Sequence, residues 1–385
     1  MSPPERKRKK TKQSLVLGPT PESTPITSLP DDLVVSCLAR VTRLQYPTLS
    51  LVSKSFRSLL ASPELYKTRS SLGHTESCLY VCLSFPTYPI PRWFTLCQKP
   101  DRTQTTNDTM KLKPSGYVLA KLSSPQSRSA HCSGLVTLGS DIYNIGGPVD
   151  EEEPSSSVSI LDCRSHTWRQ GPSLLVKRKH PFASVLDGKI YVAGHSNSSF
   201  SDWMEVFDPK TQTWELVSSP PAEIRLQYDH ISASAGIDGK VHIFRSCKGL
   251  AYDTREGRWE SVGTEMSSGW LWLPYCVVEN VLYYYNEREE IKWYDTKGRR
   301  WRVLKGVKGL PKISLYTATL ADYGRKMAVL WDMDVASTGD KMIWCTVIAL
   351  ERRNDEEIWG KVEWKEAVLK VPFSCTIKHA LAATV

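Results

Sequence analysis

No stretch of this sequence is apolar for long enough to cross a bilayer: the longest run, MIWCTVIAL at Met342 to Leu350, falls far short of the roughly 20 residues a spanning helix needs. The opening MSPPERKRKK lacks the apolar segment of a secretory signal, so the ten cysteines are expected as free thiols in a reducing compartment. They form no CxxC pair, and Cys163 stands three residues before His166. A structural zinc site needs four ligands at matched spacing, so neither a metal nor another cofactor is expected. Also missing are any HxH or HxxxH pair among the eight histidines, a Gly-rich phosphate loop and a GxSxG turn, the local signatures of several enzyme classes. Long amphipathic heptads are absent too. What is abundant is 13 Trp, 16 Tyr and 24 Pro, a composition that favours strands and turns.

The net charge of +9 is uneven. Residues 1–25 hold Arg6, Lys7, Arg8, Lys9, Lys10 and Lys12 against Glu5 and Glu22, a surplus of +4 that leaves only +5 for the rest of the chain. Phosphate backbones are bound by basic residues gathered on a folded face, so neither a nucleic acid nor a membrane is expected as partner. The basic cluster reads either as a nuclear-import signal or as a solvated, disordered tail, and the expected location is cytoplasm, nucleus or both.

A skeleton of one Asp followed six positions later by one Trp occurs four times: Asp162 to Trp168, Asp208 to Trp214, Asp253 to Trp259 and Asp295 to Trp301, with the Trp residues 46, 45 and 42 apart. Before each Asp lies a short strand-like run (SVSILD, MEVFD, GLAYD, IKWYD), and the residues between Asp and Trp carry turn chemistry. Upstream in each period sits a second hairpin, jointed at Gly139 to Asp141, Asp187-Gly188, Asp238-Gly239 and Glu279-Asn280, where primed turns need positive φ. Two hairpins per period give four antiparallel strands. Sheets repeating at this period bury their faces only by stacking, and radial stacking gives a β-propeller. Equivalent residues of a repeat sit at separate places, so the recurrent Asp is expected to form turns rather than act as an acid, and the Trp to fill the space between blades.

The Gly146-Gly147 pair followed by the Asp-to-Trp turn resembles the kelch repeat, over roughly residues 117 to 385; later periods carry Gly194-His195, Phe244-Arg245 and Tyr285-Asn286 where the Gly pair would fall. SLYTATLADYG, RKMAVLWDM, MIWCTVIALER and WGKVEWKEAVLKV supply the strands of a further blade. Two orphan strands, Ser77 to Leu83 and Pro91 to Cys97, are expected to pair with the C-terminal SCTIKHALAATV and close a ring of six blades over residues 77–385, removing two exposed sheet edges. Lys99 to Ser115 is expected to be a disordered connection.

Residues 26–70 read differently. Ser28, Pro30, Asp31 and Asp32 suit a helix start, with Leu33, Val34, Cys37, Leu38 and Val41 at helical spacing. After Tyr46-Pro47, a second helix would carry Leu49, Val52, Phe56, Leu59 and Leu60 on one side, and Ser62-Pro63 opens a third. Such a module is too small to be secure alone, so it is either a cap on the propeller or a surface awaiting a partner. Leu29-Pro30-Asp31-Asp32-Leu33, then Leu38, Leu49, Val52, Lys54, Phe56, Leu59 and Ser62-Pro63, resembles the F-box, with Phe56 where that family often has Trp. The whole layout is similar to plant-type F-box/kelch-repeat proteins. That resemblance implies no catalysis by this chain. It implies instead a receptor that docks through the helices on a Skp-type adaptor, and through it on a cullin-RING ubiquitin ligase, while propeller loops hold a target protein.

Leu29, Pro30, Leu33, Leu38, Leu49, Val52 and Phe56 are the expected adaptor contacts, with roughly half of them expected to face outward. On the longer loops, Arg178, Lys179, Arg225, Tyr228, Trp270 and Trp272 are the candidate target contacts, since Arg and aromatics dominate interface energies; Trp270 and Trp272 read equally as fillers of the central channel. A scaffold without a ligase link, or a propeller enzyme whose groups converge only in space, are the competing readings.

Overall fold

The structure, a computed structural model, describes residues 29–88, 90–99, 116–123, 134–148, 153–194, 203–224, 231–245, 248–268, 270, 273–310, 313–315, 317–335 and 339–385. Six four-stranded antiparallel sheets make up the propeller. Blade 1 is composite: Thr376–Thr384 is its inner strand, followed outward by Ser77–Ser84, Arg92–Gln98 and Tyr117–Lys121. Blade 2 comprises Gly134–Leu138, Asp141–Ile145, Val158–Asp162 and Thr167–Gln170, and blade 3 Pro181–Leu186, Lys189–Gly194, Met204–Asp208 and Thr213–Leu216. In blade 4 the strands are Ala233–Ile237, Lys240–Arg245, Lys248–Asp253 and Arg258–Val262; in blade 5, Tyr275–Val278, Val281–Tyr285, Ile291–Asp295 and Arg300–Val303. Blade 6 comprises Thr319–Asp322, Lys326–Val335, Asp340–Asn354 and Glu357–Pro372, of which the last two are the longest strands described. Each inner strand touches the inner strand of the next blade, and Thr376–Thr384 touches those of blades 6 and 2, which closes the ring. The closing blade's outermost strand is Tyr117–Lys121, which the sequence reading did not assign to it. Tyr117 stacks on Trp364 of blade 6 with centroids 4.2 Å apart.

The repeated Asp residues behave as turn formers. Asp162, Asp208, Asp253 and Asp295 accept backbone N–H bonds at 2.9, 2.8, 3.0 and 2.9 Å from Arg164, Lys210, Arg255 and Gly298. The fourth residue after each Asp is left-handed, with φ of 57° at His166, 60° at Gln212, 65° at Gly257 and 49° at Arg299, the twist that returns the chain as a hairpin. The repeated Trp residues bridge blades: Trp214 Nε1 donates to the Pro172 carbonyl at 2.9 Å and Trp259 Nε1 to that of Ser218 at 2.5 Å, both from the connection out of the preceding blade. Glycine is required at Gly194 (φ 147°), where an added Cβ would lie 2.6 Å from the His180 carbonyl oxygen.

The N-terminal module has four short helices rather than the three expected: α1 (Asp31–Leu38), α2 (Tyr46–Leu49), α3 (Lys54–Leu60) and α4 (Pro63–Ser71). The anticipated second helix is broken because Ser53 is extended (φ −160°, ψ 165°) and its hydroxyl caps α3, accepting from Phe56 N at 3.0 Å. Ser62 caps α4 in the same way, accepting from Leu65 N at 3.4 Å. Pro30 occupies the cap position of α1, without a side-chain cap bond, and Asp31 and Asp32 fill the first turn, where the helix dipole favours them. Ser28, like residues 1–25 and 100–115, lies outside the described residues.

Candidate functional site

The module's inner face is continuous with the propeller core. Val34, Val35, Leu38, Leu60 and Leu65 pack in one apolar cluster with Tyr80, Trp93, Ile142, Leu161 and Val385 of blades 1 and 2 and the C-terminal end. Buried Arg69 of α4 ties the parts together: Nη1 donates to the carbonyls of Ala39 (3.2 Å) and Val41 (2.7 Å), and Nη2 pairs with Glu76 Oε1 at 2.6 Å. It thereby satisfies carbonyls at the end of α1, which carries no basic residue in its last turn. On the blade side, Tyr66 Oη lies 2.9 Å from the Arg164 carbonyl, and Arg43 Nη2 lies 3.1 Å from His166 Nε2. Arg164 and His166 belong to the Asp162-to-Trp168 turn, so the module sits on the end of the propeller that bears the tight turns. The longer loops are at the opposite end.

That placement sorts the expected adaptor contacts. Leu29 (40% exposed), Pro30, Leu33 (49%) and Val52 (63%) face solvent, and beside Val52 stands Leu51 at 77%, which the sequence reading passed over. Leu38 is 4% exposed and belongs to the module's own packing; Leu49 and Phe56 are half-buried against the same cluster. The break at Ser53 is the cause of this split, because it separates Val52 from the face that carries Phe56.

The loop-end candidates divide more sharply. Arg178 is fully buried. Its Nε and Nη2 donate to Glu205 Oε1 at 3.2 and 3.0 Å, and its Nη1 to the carbonyls of Gly194 and Trp203 at 2.8 and 3.1 Å. Trp270 is fully buried too, donating from Nε1 to the Met266 carbonyl at 2.6 Å and packed edge-on against Phe244 and Tyr275. Both are architecture in this fold. Lys179 is half-buried, while Arg225, Tyr228 and Trp272 lie outside the described residues. Apolar side chains that are exposed at this end are Tyr88, Ile90, Leu175, Met333 and Phe373. Their signal in the sequence is weak, since no repeat marks them. Cations flank two of them: the Arg92 guanidinium is 3.2 Å from the Tyr88 ring centroid and Lys341 Nζ is 4.8 Å from that of Phe373.

Among the described residues, no group of three or more His, Cys, Asp or Glu side chains is arranged to hold a metal ion. Eight cysteines are unbridged there, Cys37 exposed and the rest buried. No helix of the described residues is long and apolar enough to cross a membrane.

Two histidines are held neutral. Burial, reinforced by Arg43, pushes His166 down to about 4, and burial, reinforced by Lys240, does the same to His242. Unfolded, each would take up a proton near pH 6.5. Because the folded values are lower, stability is complete above about pH 6.5 and falls as pH drops toward 4. Between pH 7 and 5 the turn carboxylates stay ionised, so the histidines set the slope. Each is expected to cost about 2 kcal/mol by pH 5, read from urea midpoints, and His166→Asn should remove about half of the combined loss. A flat stability profile over that interval would contradict the burial of both rings.

Comparison with known proteins follows the same division of the chain. A family profile described as F-box domain matches residues 26–68, and one described as FKB95, Kelch-repeats domain matches residues 93–369. Among curated proteins, the chain is similar to F-box/kelch-repeat proteins of Arabidopsis thaliana, one 59% identical over 100% of both chains, another 53% identical over 100% of both, and a third 52% identical over 97% of each.

Proposed function

Because this chain belongs to the F-box/kelch-repeat family, we propose that it is the substrate-recognition subunit of an SCF-type cullin-RING ubiquitin ligase, working in the cytoplasm, the nucleus or both. Residues 26–70 dock on a Skp-type adaptor, and the loops of the 77–385 propeller hold the target. The observation that carries the reading is the exposure of Leu29, Leu33, Leu51 and Val52 on a module whose other apolar residues are fused to the propeller core. A mere cap would bury its apolar residues; this module leaves these four exposed.

Chemically, the chain makes and breaks no covalent bond. Fixing a target beside the ubiquitin-carrying enzyme raises the local concentration of its lysines, which is worth orders of magnitude in rate without any new contact. A rigid seam between module and propeller serves this, because a fixed distance maximises that concentration. For the target, Lys179, Arg225, Tyr228 and Trp272 remain the proposed loop contacts, joined by exposed Tyr88, Met333 and Phe373.

The test is co-expression of the full chain with a Skp-type adaptor. A one-to-one complex that survives gel filtration is the expected result. Should the chain elute alone and folded, the scaffold reading without a ligase link takes over.

A further inference from the structure

A cavity of about 850 Å³ lies in the seam between the helical module, the outer strands of blade 1 and the Arg164-to-Trp168 turn. This volume falls within the range of small-molecule sites, which pair an apolar wall with a few polar groups. Leu60, Tyr66, Leu96, Leu122 and Trp168 supply the wall.

Its polar groups are unbalanced. Among the described residues, Arg43, Arg57, Lys121 and Arg164 line it against one carboxylate, Glu76. Glu76 is already engaged by Arg69 at 2.6 Å, by the Thr42 hydroxyl at 2.7 Å and by the Arg43 backbone amide, and Arg164 is held by Asp162 at 2.8 Å. Arg43 is 9% exposed, and its Nη1 has no hydrogen-bond partner among the described residues. Among the described residues its guanidinium meets a ring nitrogen of neutral His166 at 3.1 Å and the faces of Tyr46 and Tyr66, with centroids 5.8 and 5.2 Å away. Cysteines along the wall do not offset the charge, since burial pushes the Cys78 and Cys97 thiols up to about 11. Stacking on tyrosines recovers part of the cost of burying a cation, but an unpaired guanidinium out of water calls for an anion.

We propose that this cavity is a binding site for a small organic acid, an apolar or aromatic body bearing one carboxylate, with Arg43 pairing the carboxylate and the apolar wall holding the body. A guanidinium takes a carboxylate through parallel N–H bonds. Such a ligand would touch both halves of the chain at once and stiffen their seam. This site does not depend on the ligase reading, so its test uses the full chain alone.

Titration calorimetry of benzoate, 3-phenylpropionate and 2-naphthoate, each against its own carboxamide, isolates the charge while keeping the body constant. At least one acid is expected to bind about tenfold or more tightly than its amide, the size of one charge-assisted hydrogen bond, with inorganic phosphate failing to displace it. Arg43→Met should erase the preference while the melting temperature of the free protein holds or rises, because an uncompensated buried charge has been removed. Arg43→Lys, which keeps a charge, serves if the Met variant misfolds, and should retain part of the preference. The proposal is overturned if no acid in the set outbinds its amide, if phosphate competes fully, or if Arg43→Met binds the acid as tightly as the unmodified chain.

Discussion

Glutamate at both Leu33 and Val52 should eliminate binding to a Skp-type adaptor, by a factor of about a hundred or more, with little effect on the fold. The two side chains are 49% and 63% exposed, and exposed substitutions usually move stability by less than about 0.5 kcal/mol. At an interface the same changes strand two carboxylates on an apolar contact. Each costs about 2 kcal/mol or more, on the scale of hot-spot losses and unpaired buried charges. Leu38→Glu provides the contrast. It too would abolish the complex, but by unfolding the module, since Leu38 is 4% exposed in the cluster shared with blades 1 and 2. Circular dichroism and the melting temperature separate the two causes. Retention of the complex by the folded Leu33→Glu/Val52→Glu chain would remove the adaptor face from the proposal, and with it the ligase role.

The sequence revealed the parts of this molecule that are decided locally. An Asp side chain that bonds an amide two or three residues on, as Asp208 does with Lys210 at 2.8 Å, needs nothing from the rest of the chain, so its repeat marks the outer hairpin turns of blades 2 to 5. Paired positive-φ residues at Asp187-Gly188 and Asp238-Gly239 are equally local. Ring closure was legible for a different reason: two orphan strands near the start and one at the C-terminal end leave two sheet edges unpaired, and pairing them with one another covers both.

Fates decided at long range were not legible. Arg178 read as a display residue on a loop and Trp270 as either a display residue or a filler, yet the partner that withdraws Arg178 is 27 positions away, and Trp270 is buried by rings from blades 4 and 5. Composition cannot distinguish an arginine that greets a partner from one that staples a loop. The proposed adaptor face lies in between. Its existence followed from the apolar surplus of a small module, but which residues open outward turned on a single extended residue, Ser53, that breaks the helix. Leu51 was missed for that reason: in one continuous helix it would have pointed away from the supposed face.

The buried pair of Arg178 and Glu205 gives the second large effect, on the propeller itself. Glu205 is fully buried and accepts, besides the guanidinium, the backbone amides of Leu175 and Val176 at 2.7 and 3.2 Å. One carboxylate of blade 3 thus pins the connection from blade 2 and, through Arg178, the carbonyls of Gly194 and Trp203. Glu205→Ala removes the counter-charge of a buried cation and the acceptor of two backbone amides, which should cost about 3–5 kcal/mol. Arg178→Met leaves the opposite charge behind but keeps both amides bonded, and should cost less than Glu205→Ala. The double change Arg178→Met/Glu205→Leu strands no charge, and its loss should fall well below the sum of the two single variants, by a coupling of about 1–3 kcal/mol. Urea midpoints of the four proteins measure this cycle. Additive losses would mean that the two side chains stabilise the blade independently, and a Glu205→Ala loss under about 1 kcal/mol would mean that water reaches the pair. In either case the rigidity that presents the loop end to a target would need another source than this ion pair.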